Sequence, residues 1–205
     1  MQALCQNAVI LASASKTRRQ LLERAGLDFR VIPVSVDEEH IKSRLREHGI
    51  DDNPADFVCA LAHAKVLDVS RRHRDSVIIG ADQILLHDGR ILDKPDSVET
   101  ARKQLLSLRG RSHRLMSAVA CACLGEIVWT HCEQARLTMR HFTEEFLESY
   151  LELNGPGVCE SVGGYRLEGL GLQLFETVEG DYFTILGLPL LALLGFLRDR
   201  SILAL

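Results

Sequence analysis

Short apolar runs alternate along the chain with segments whose apolar residues recur at helical spacing. Residues 8–12 are all apolar and read as a buried strand, and a polar turn leads into a helix over 17–25. Gly26 stops that helix, as a residue suited to the left-handed position after a helix. Residues 29–36 are strand-like, with Pro33 marking an edge or a bend. Asn53-Pro54 opens the next helix: asparagine caps, proline takes the first helical position, and Val58, Leu61, Ala62 and Val69 form one stripe. Residues 76–81 read as a buried strand and 83–95 as a hairpin turned at Asp88-Gly89, which supplies positive φ. Asp96, with Glu99 three residues on, predicts a capped helix carrying Val98, Ala101, Leu105 and Leu108 to Gly110. Strands over 112–124 and 126–139 flank Gly125, and Thr143 caps a helix to about Leu153 that Asn154-Gly155-Pro156-Gly157 breaks. Strands over 172–178 and 182–186, turned at Glu179-Gly180-Asp181, precede a last helix from Pro189. The alternation predicts an α/β or α+β fold with a mixed sheet, undivided by repeat or linker.

Composition narrows the function classes. A chain of 205 residues suits one domain, or one large domain with a subdomain. Its 24 basic against 28 acidic residues give a net charge of −4, which argues against whole-surface attraction to nucleic acid but leaves room for a local basic pocket. The cysteines at 5, 59, 121, 123, 132 and 159 have no CxxC spacing and read as reduced thiols, and the eight histidines show no zinc spacing. Residues 1–20 lack the basic start of a signal peptide, and the longest nearly uncharged apolar run, 184–197, falls short of the roughly 20 residues that span a bilayer. These features predict a cytoplasmic protein with neither membrane nor nucleic acid as partner.

Four segments carry candidate chemistry. In Ser13-Ala14-Ser15-Lys16-Thr17-Arg18-Arg19 a strand end gives way to a helix N-terminus, where unpaired N–H groups favour anions; a basic helix start with Ser15 as cap is the simpler alternative. Lys65 lies on the apolar stripe of its helix, either snorkelling to solvent or presenting an ammonium to a phosphate. The strand 77–81 delivers Asp82 at its C-terminal end, where α/β sites lie, although Asp is also an ordinary turn former. In the hairpin Gln83 falls opposite Lys94, so Asp82 and Lys94 share a site only if the pairing breaks near Pro95. The glycine-rich run 163–171 permits close approach of backbone to ligand, without the spacing of a P-loop. Together these fit polyphosphate binding with metal-assisted hydrolysis.

The ordered set Leu11-Ala12-Ser13-Ala14-Ser15-x-x-Arg18-Arg19-x-Leu21-Leu22, Val36-Asp37-Glu38, Leu61-Ala62-x-x-Lys65, Gly80-Ala81-Asp82, Lys94-Pro95, Glu168-Gly169-x-Gly171 and Gly187-Leu188-Pro189-Leu190 resembles the Maf family of nucleoside triphosphate pyrophosphatases. The likeness covers nearly the whole chain. It implies an α/β fold, a single ITPase-like domain over 1–205 with a mixed, elongated, twisted sheet flanked by helices. It also implies a house-cleaning enzyme that cuts a nucleoside triphosphate to a monophosphate and pyrophosphate with a divalent cation, Mg²⁺ or Mn²⁺, and a homodimer. By motif position Asp82 is the implied acid–base residue, Ser13, Arg18, Lys65 and Lys94 the phosphate clamp, and Glu38 a metal- or water-positioning group.

Thr17, Gln83 and Glu168 occupy the positions that divide the family by substrate, and Gln83 with Glu168 matches the 7-methyl-GTP branch rather than the dTTP/UTP branch. A carboxylate accepts guanine N1–H and the 2-amino group together, whereas it repels the O4 of uracil or thymine. Thr17 departs from the tryptophan expected there and cannot stack on a base. Asp93 stands where glycine is usual, and Glu160-Ser161-Val162-Gly163 lacks the usual lysine. The alternatives are a dTTP/UTP-preferring pyrophosphatase of the same family and a non-catalytic regulator of cell division or septum formation.

Overall fold

The computed structural model describes residues 8–34, 37–47 and 53–203; Cys5, Val36 and the end of the strand expected over 29–36 lie outside them. Seven strands form a mixed sheet in the order β2-β1-β3-β5-β6-β7, with β4 paired to β3, so the architecture is α/β with helices flanking the sheet. The chain divides into two compact units, one built from residues 1–82, 117–133 and 187–205 and the other from 83–116 and 134–186.

In the first unit β1 (Val9–Leu11) runs parallel to β2 (Arg30–Val31) and to the start of β3 (Val77–His87), with Ile10 opposite both Arg30 and Ile78. β1 is buried throughout, which is why its sequence is continuously apolar rather than alternating. Helix α1 (Lys16–Arg24) is capped by Ser15, whose hydroxyl accepts from Arg18 N–H, and Gly26 follows it at φ 73°. Helix α3 (Pro54–Arg72) starts where predicted, with the Asn53 side chain accepting from Ala55 N–H. Its inner face, Phe57, Val58, Leu61, Ala62, Val66 and Val69, is inaccessible to within about one per cent; each large apolar side chain buried this way contributes roughly 1.5–3 kcal/mol. Gly80 of β3 lets this helix come close, because a Cβ there would stand 2.6 Å from Val66 Cγ1. Helix α2 (Glu38–Glu47) is absent from the sequence expectation: it buries no residue, so no apolar stripe announces it. The far half of β5 (Ser112–Cys123), the near half of β6 (Glu126–Met139) and α7 (Leu190–Asp199) complete the unit.

In the second unit β4 (Arg90–Leu92) pairs antiparallel with the end of β3, Leu85 opposite Leu92 and His87 opposite Arg90, around the Asp88-Gly89 turn. Pairing stops at Leu92, earlier than Pro95, and Gln104 donates to the Asp93 carbonyl at 3.0 Å. Helix α4 (Val98–Leu108) is capped by Ser97 rather than Asp96; Ser97 accepts from Thr100 N–H, while the Asp96 carboxylate takes the Ser97 and Thr100 hydroxyls. Helix α5 (Glu144–Asn154) has the expected Thr143 cap. β7 (Phe175–Glu179) pairs antiparallel with β6, and a 3-10 turn over Leu170–Leu174 replaces the first half of the strand expected at 172–178. The strand expected at 182–186 is helix α6 (Tyr182–Ile185), because the Asp181 carboxylate accepts from Thr184 N–H and caps a helical turn.

The core of this unit gathers Leu85, Leu105, Leu108, Leu115, Leu137 and Leu147 with Tyr150 and Tyr165. Cys59, Cys121, Cys132 and Cys159 are free thiols, as expected, but Cys123 is disulfide-bonded, against the expectation that every cysteine is reduced. Among the described residues no helix is long and apolar enough to cross a membrane.

Candidate active site

Five of the residues singled out in the sequence meet in the first unit. β1 ends at Leu11, and the turn into α1 places Ser13 so that its hydroxyl accepts from Ser15 N–H at 3.2 Å and from Arg18 Nη1 at 3.5 Å. Arg18 is buried. It donates from Nε to the Gly187 carbonyl at 2.8 Å and from Nη1 to the Ala81 carbonyl at 2.7 Å. One guanidinium therefore holds the start of α1, the last residue before Asp82 and the Gly187 loop. Burial pulls the Arg18 guanidinium below its ordinary value, against the opposing attraction of Asp82 and Glu38. The group stays charged, since guanidinium is effectively always protonated.

Lys65 resolves the choice left open by its pattern. It does not reach solvent: its ammonium lies 3.2 Å from Asp82 Oδ1 and 3.1 Å from Glu38 Oε1, with the side chain 8% exposed. The close seating of α3 on Gly80, whose added Cβ would also lie 3.6 Å from Lys65 Cβ, sets this reach. Asp82 is nearly as buried, while the Glu38 side chain is 48% exposed. Arg18, Lys65, Asp82 and Glu38 carry two positive and two negative charges, so the cluster is neutral by internal pairing. Such pairing is what makes buried charge tolerable. Arg19 takes no part; it pairs with Glu23 on the exposed side of α1.

The remaining candidates are Thr17, Gln83, Lys94 and Glu168. Thr17 is half-buried in the first turn of α1. Gln83, half-buried and the first residue of the second unit, donates from Nε2 to the carbonyls of Thr184 (3.1 Å) and Ile185 (2.9 Å), which only the NH₂ end of the amide can do. Lys94 and Glu168 are exposed, Lys94 beyond the end of β4 and Glu168 in a turn. Of the two departures near them, Glu160 is ion-paired with Arg166, and Ser161 donates to the Tyr165 carbonyl.

Three functional contacts escaped the sequence: the Ala81 and Gly187 carbonyls as acceptors for Arg18, and the anchoring of α6 by Gln83. Backbone acceptors carry no residue signature, so only the juxtaposition in space reveals them. A buried pair in the second unit also escaped notice. His113 Nε2 and the Tyr165 hydroxyl are 2.6 Å apart, and the Nδ1 atoms of His113 and His87 have no hydrogen-bond partner. Burial, with His87 nearby, pushes the His113 imidazole down to about 4.

The chain matches the Maf-like protein family over residues 8–200, and it belongs to that family. It is 50% identical over 193 residues to a protein of Granulibacter bethesdensis named nucleoside triphosphate pyrophosphatase, covering 94% of this chain and 97% of that one. A second protein of that name, from Paramagnetospirillum magneticum, is 50% identical over 94% of this chain and 98% of its own. A Rhizobium etli protein named 7-methyl-GTP pyrophosphatase is 46% identical over 191 residues, 93% of this chain and 95% of that one.

Proposed function

We propose that the protein is a nucleoside triphosphate pyrophosphatase that hydrolyses the bond between the α- and β-phosphates, releasing a monophosphate and pyrophosphate. The observation that carries this is the end-to-end likeness to relatives named for that activity, half of whose residues are identical in this chain. The ionic cluster around Asp82 supports it: the carboxylate stands in the middle of β3, not at a strand end as the sequence predicts, and beside two buried cations it is equipped for acid–base work on a polyanion.

In this reading Asp82 orients and deprotonates the attacking water. Lys65 shares its ammonium between Asp82 and Glu38, holding the Asp82 carboxylate in place. Ser13, Arg18, Lys65 and Lys94 serve the phosphates, and Arg18 also fixes Ala81 so that the next residue, Asp82, is held from its backbone. The residues present fit a divalent ion. Glu38 and Asp82 bring two carboxylates to one cation, and Mg²⁺ or Mn²⁺ is usually held by one or two carboxylates plus substrate phosphates. That economy agrees with the finding that, among the described residues, no group of three ligand-type side chains could hold a metal. The cluster is neutral as built, so it has no surplus positive charge for a triphosphate. When bound, the ion supplies that charge.

For the base we propose a 7-methyl-GTP-like preference, supported by the Rhizobium etli relative and by the carboxylate of Glu168, with Gln83 and Thr17 as further specificity residues. Gln83 contributes by fixing α6 through two carbonyls. The test is pyrophosphate release from 7-methyl-GTP, GTP, UTP, dTTP and CTP with Mg²⁺ or Mn²⁺, in wild type and Glu168→Gln. The expected result is a lead for 7-methyl-GTP that Glu168→Gln cuts about tenfold, the value of one charge-assisted hydrogen bond. A lead for UTP or dTTP would overturn the preference, and no release from any triphosphate would overturn the activity.

A further inference from the structure

The stripe of α3 that also carries Val66 is pinned to the β5–β6 hairpin of the same unit at successive points. Ser70 Oγ accepts from Gly125 N–H at 3.0 Å, at the hairpin turn. One helical repeat earlier, His63 Nε2 lies 2.7 Å from Thr130 Oγ1. One turn earlier again, Cys59 and Cys132 lie near enough for each thiol to shift the other's titration. The order is antiparallel: 59, 63, 70 on the helix against 132, 130, 125 on the strand. Between the last two points the spacing agrees as well. Four residues of helix advance about 6 Å and two residues of strand about 6.8 Å, so fixing His63 on Thr130 brings Cys59 opposite Cys132. The thiol contact thus follows from an independent hydrogen bond that sets the register. Both thiols are free and half-buried, within reach of a small oxidant.

We infer that Cys59 and Cys132 form a reversible dithiol–disulfide site which, oxidised by a hydroperoxide, ties α3 covalently to β6. The two sulfurs have different parts. Beside Cys132 the Cys59 thiol is held below its ordinary value and the Cys132 thiol above it, so Cys59 is the more readily deprotonated of the two. Cys59 attacks the peroxide oxygen, forming a sulfenic acid and expelling hydroxide, which takes a proton to leave as water. The Cys132 sulfur then attacks the Cys59 sulfur; the S–S bond forms, the S–OH bond breaks, and the Cys132 proton leaves with the hydroxyl as a second water. The protein is oxidised by two electrons and the peroxide reduced by two. A thiol reductant reverses the step.

The site matters because α3 is the helix that carries Lys65, six residues after Cys59. The inference stands on packing alone and does not depend on the proposed reaction. Its test is peptide mapping of the full-length protein before and after a stoichiometric dose of hydrogen peroxide, with free thiols alkylated before digestion. The expected product is a Cys59–Cys132 linked peptide that dithiothreitol removes, with amide exchange in the first half of α3 slowed in the oxidised form. Cys132→Ser should stop at a Cys59 sulfenic acid trapped by dimedone, and Cys59→Ser should leave Cys132 alkylatable. The wild-type mapping decides even where a variant fails to fold, and it separates this pair from any disulfide containing Cys123. Full alkylation of both thiols after treatment, or linkage of either to another cysteine, would overturn the inference.

Discussion

Around Asp82 in the first unit, a carboxylate, an ammonium and a guanidinium are buried beside opposite charge, with the half-exposed Glu38 completing the balance. Around His113 in the second unit, an imidazole is buried by staying neutral, with one nitrogen on the Tyr165 hydroxyl and the other on nothing. The two regions answer the same cost, that of taking a polar group out of water, by opposite means. Pairing keeps charge available at neutral pH, which chemistry on a phosphate needs. Neutrality removes charge and leaves a group that serves packing, until acid restores the proton.

The largest effect separates the two regions outright. Asp82→Asn keeps the shape of the site and removes its base, so the proposed turnover should fall about 10³-fold, roughly 4 kcal/mol of barrier, with circular dichroism unchanged. Turnover that survives would reduce the ionic cluster to a structural device like its counterpart at His113.

Next in size is the acid response of His113. Its folded value of about 4 lies below the ordinary 6.5. Between the two the unfolded chain binds more protons than the folded one, so stability is lost as pH falls from 6.5 towards 4. The contribution is fully present above about pH 6.5, and its size is on the order of 3 kcal/mol. Urea midpoints at pH 7.5 and 4.5 should differ more for wild type than for His113→Gln; equal differences would break the contrast between the regions.

The smallest effect probes how the charged cluster is positioned. Gly80→Ala drives a methyl against Val66 Cγ1 and should cost about 1–2 kcal/mol. Val66→Ala in the double variant should recover part of that, as a thermal-melt cycle would show. Strict additivity would mean that α3 does not owe its seating to Gly80.

Much of this was legible from residue patterns where a local rule fixes a local structure. Ser15, Asn53-Pro54 and Thr143 announce their helices, and Asp88-Gly89 and Gly125 their turns, because caps and positive φ are set within a few residues. Residues 182–186 misled because Tyr, Phe, Thr and Ile favour strands, while the Asp181 cap that decides the matter spans only one turn. Helix α2 was invisible because it buries no residue. Asp82 and Lys65 were visible as candidates, but not their direct ion pair, since 17 positions and a helix–strand contact separate them. His113 gave no signal at all: one histidine within a strand looks like any other polar residue until its neighbours are known.

The grip of Arg18 on two main-chain carbonyls bears on how this corner withstands sequence drift. Ala81 takes part only through an oxygen atom that every amino acid possesses, whereas Gly187 stands at φ 89°, where other residues are strained, so its acceptor depends on glycine. Lysine cannot stand in for the arginine, because a single ammonium has no planar fork to serve two acceptors held apart. Mutational vulnerability at this three-way junction is therefore concentrated in two codons, those of Arg18 and Gly187.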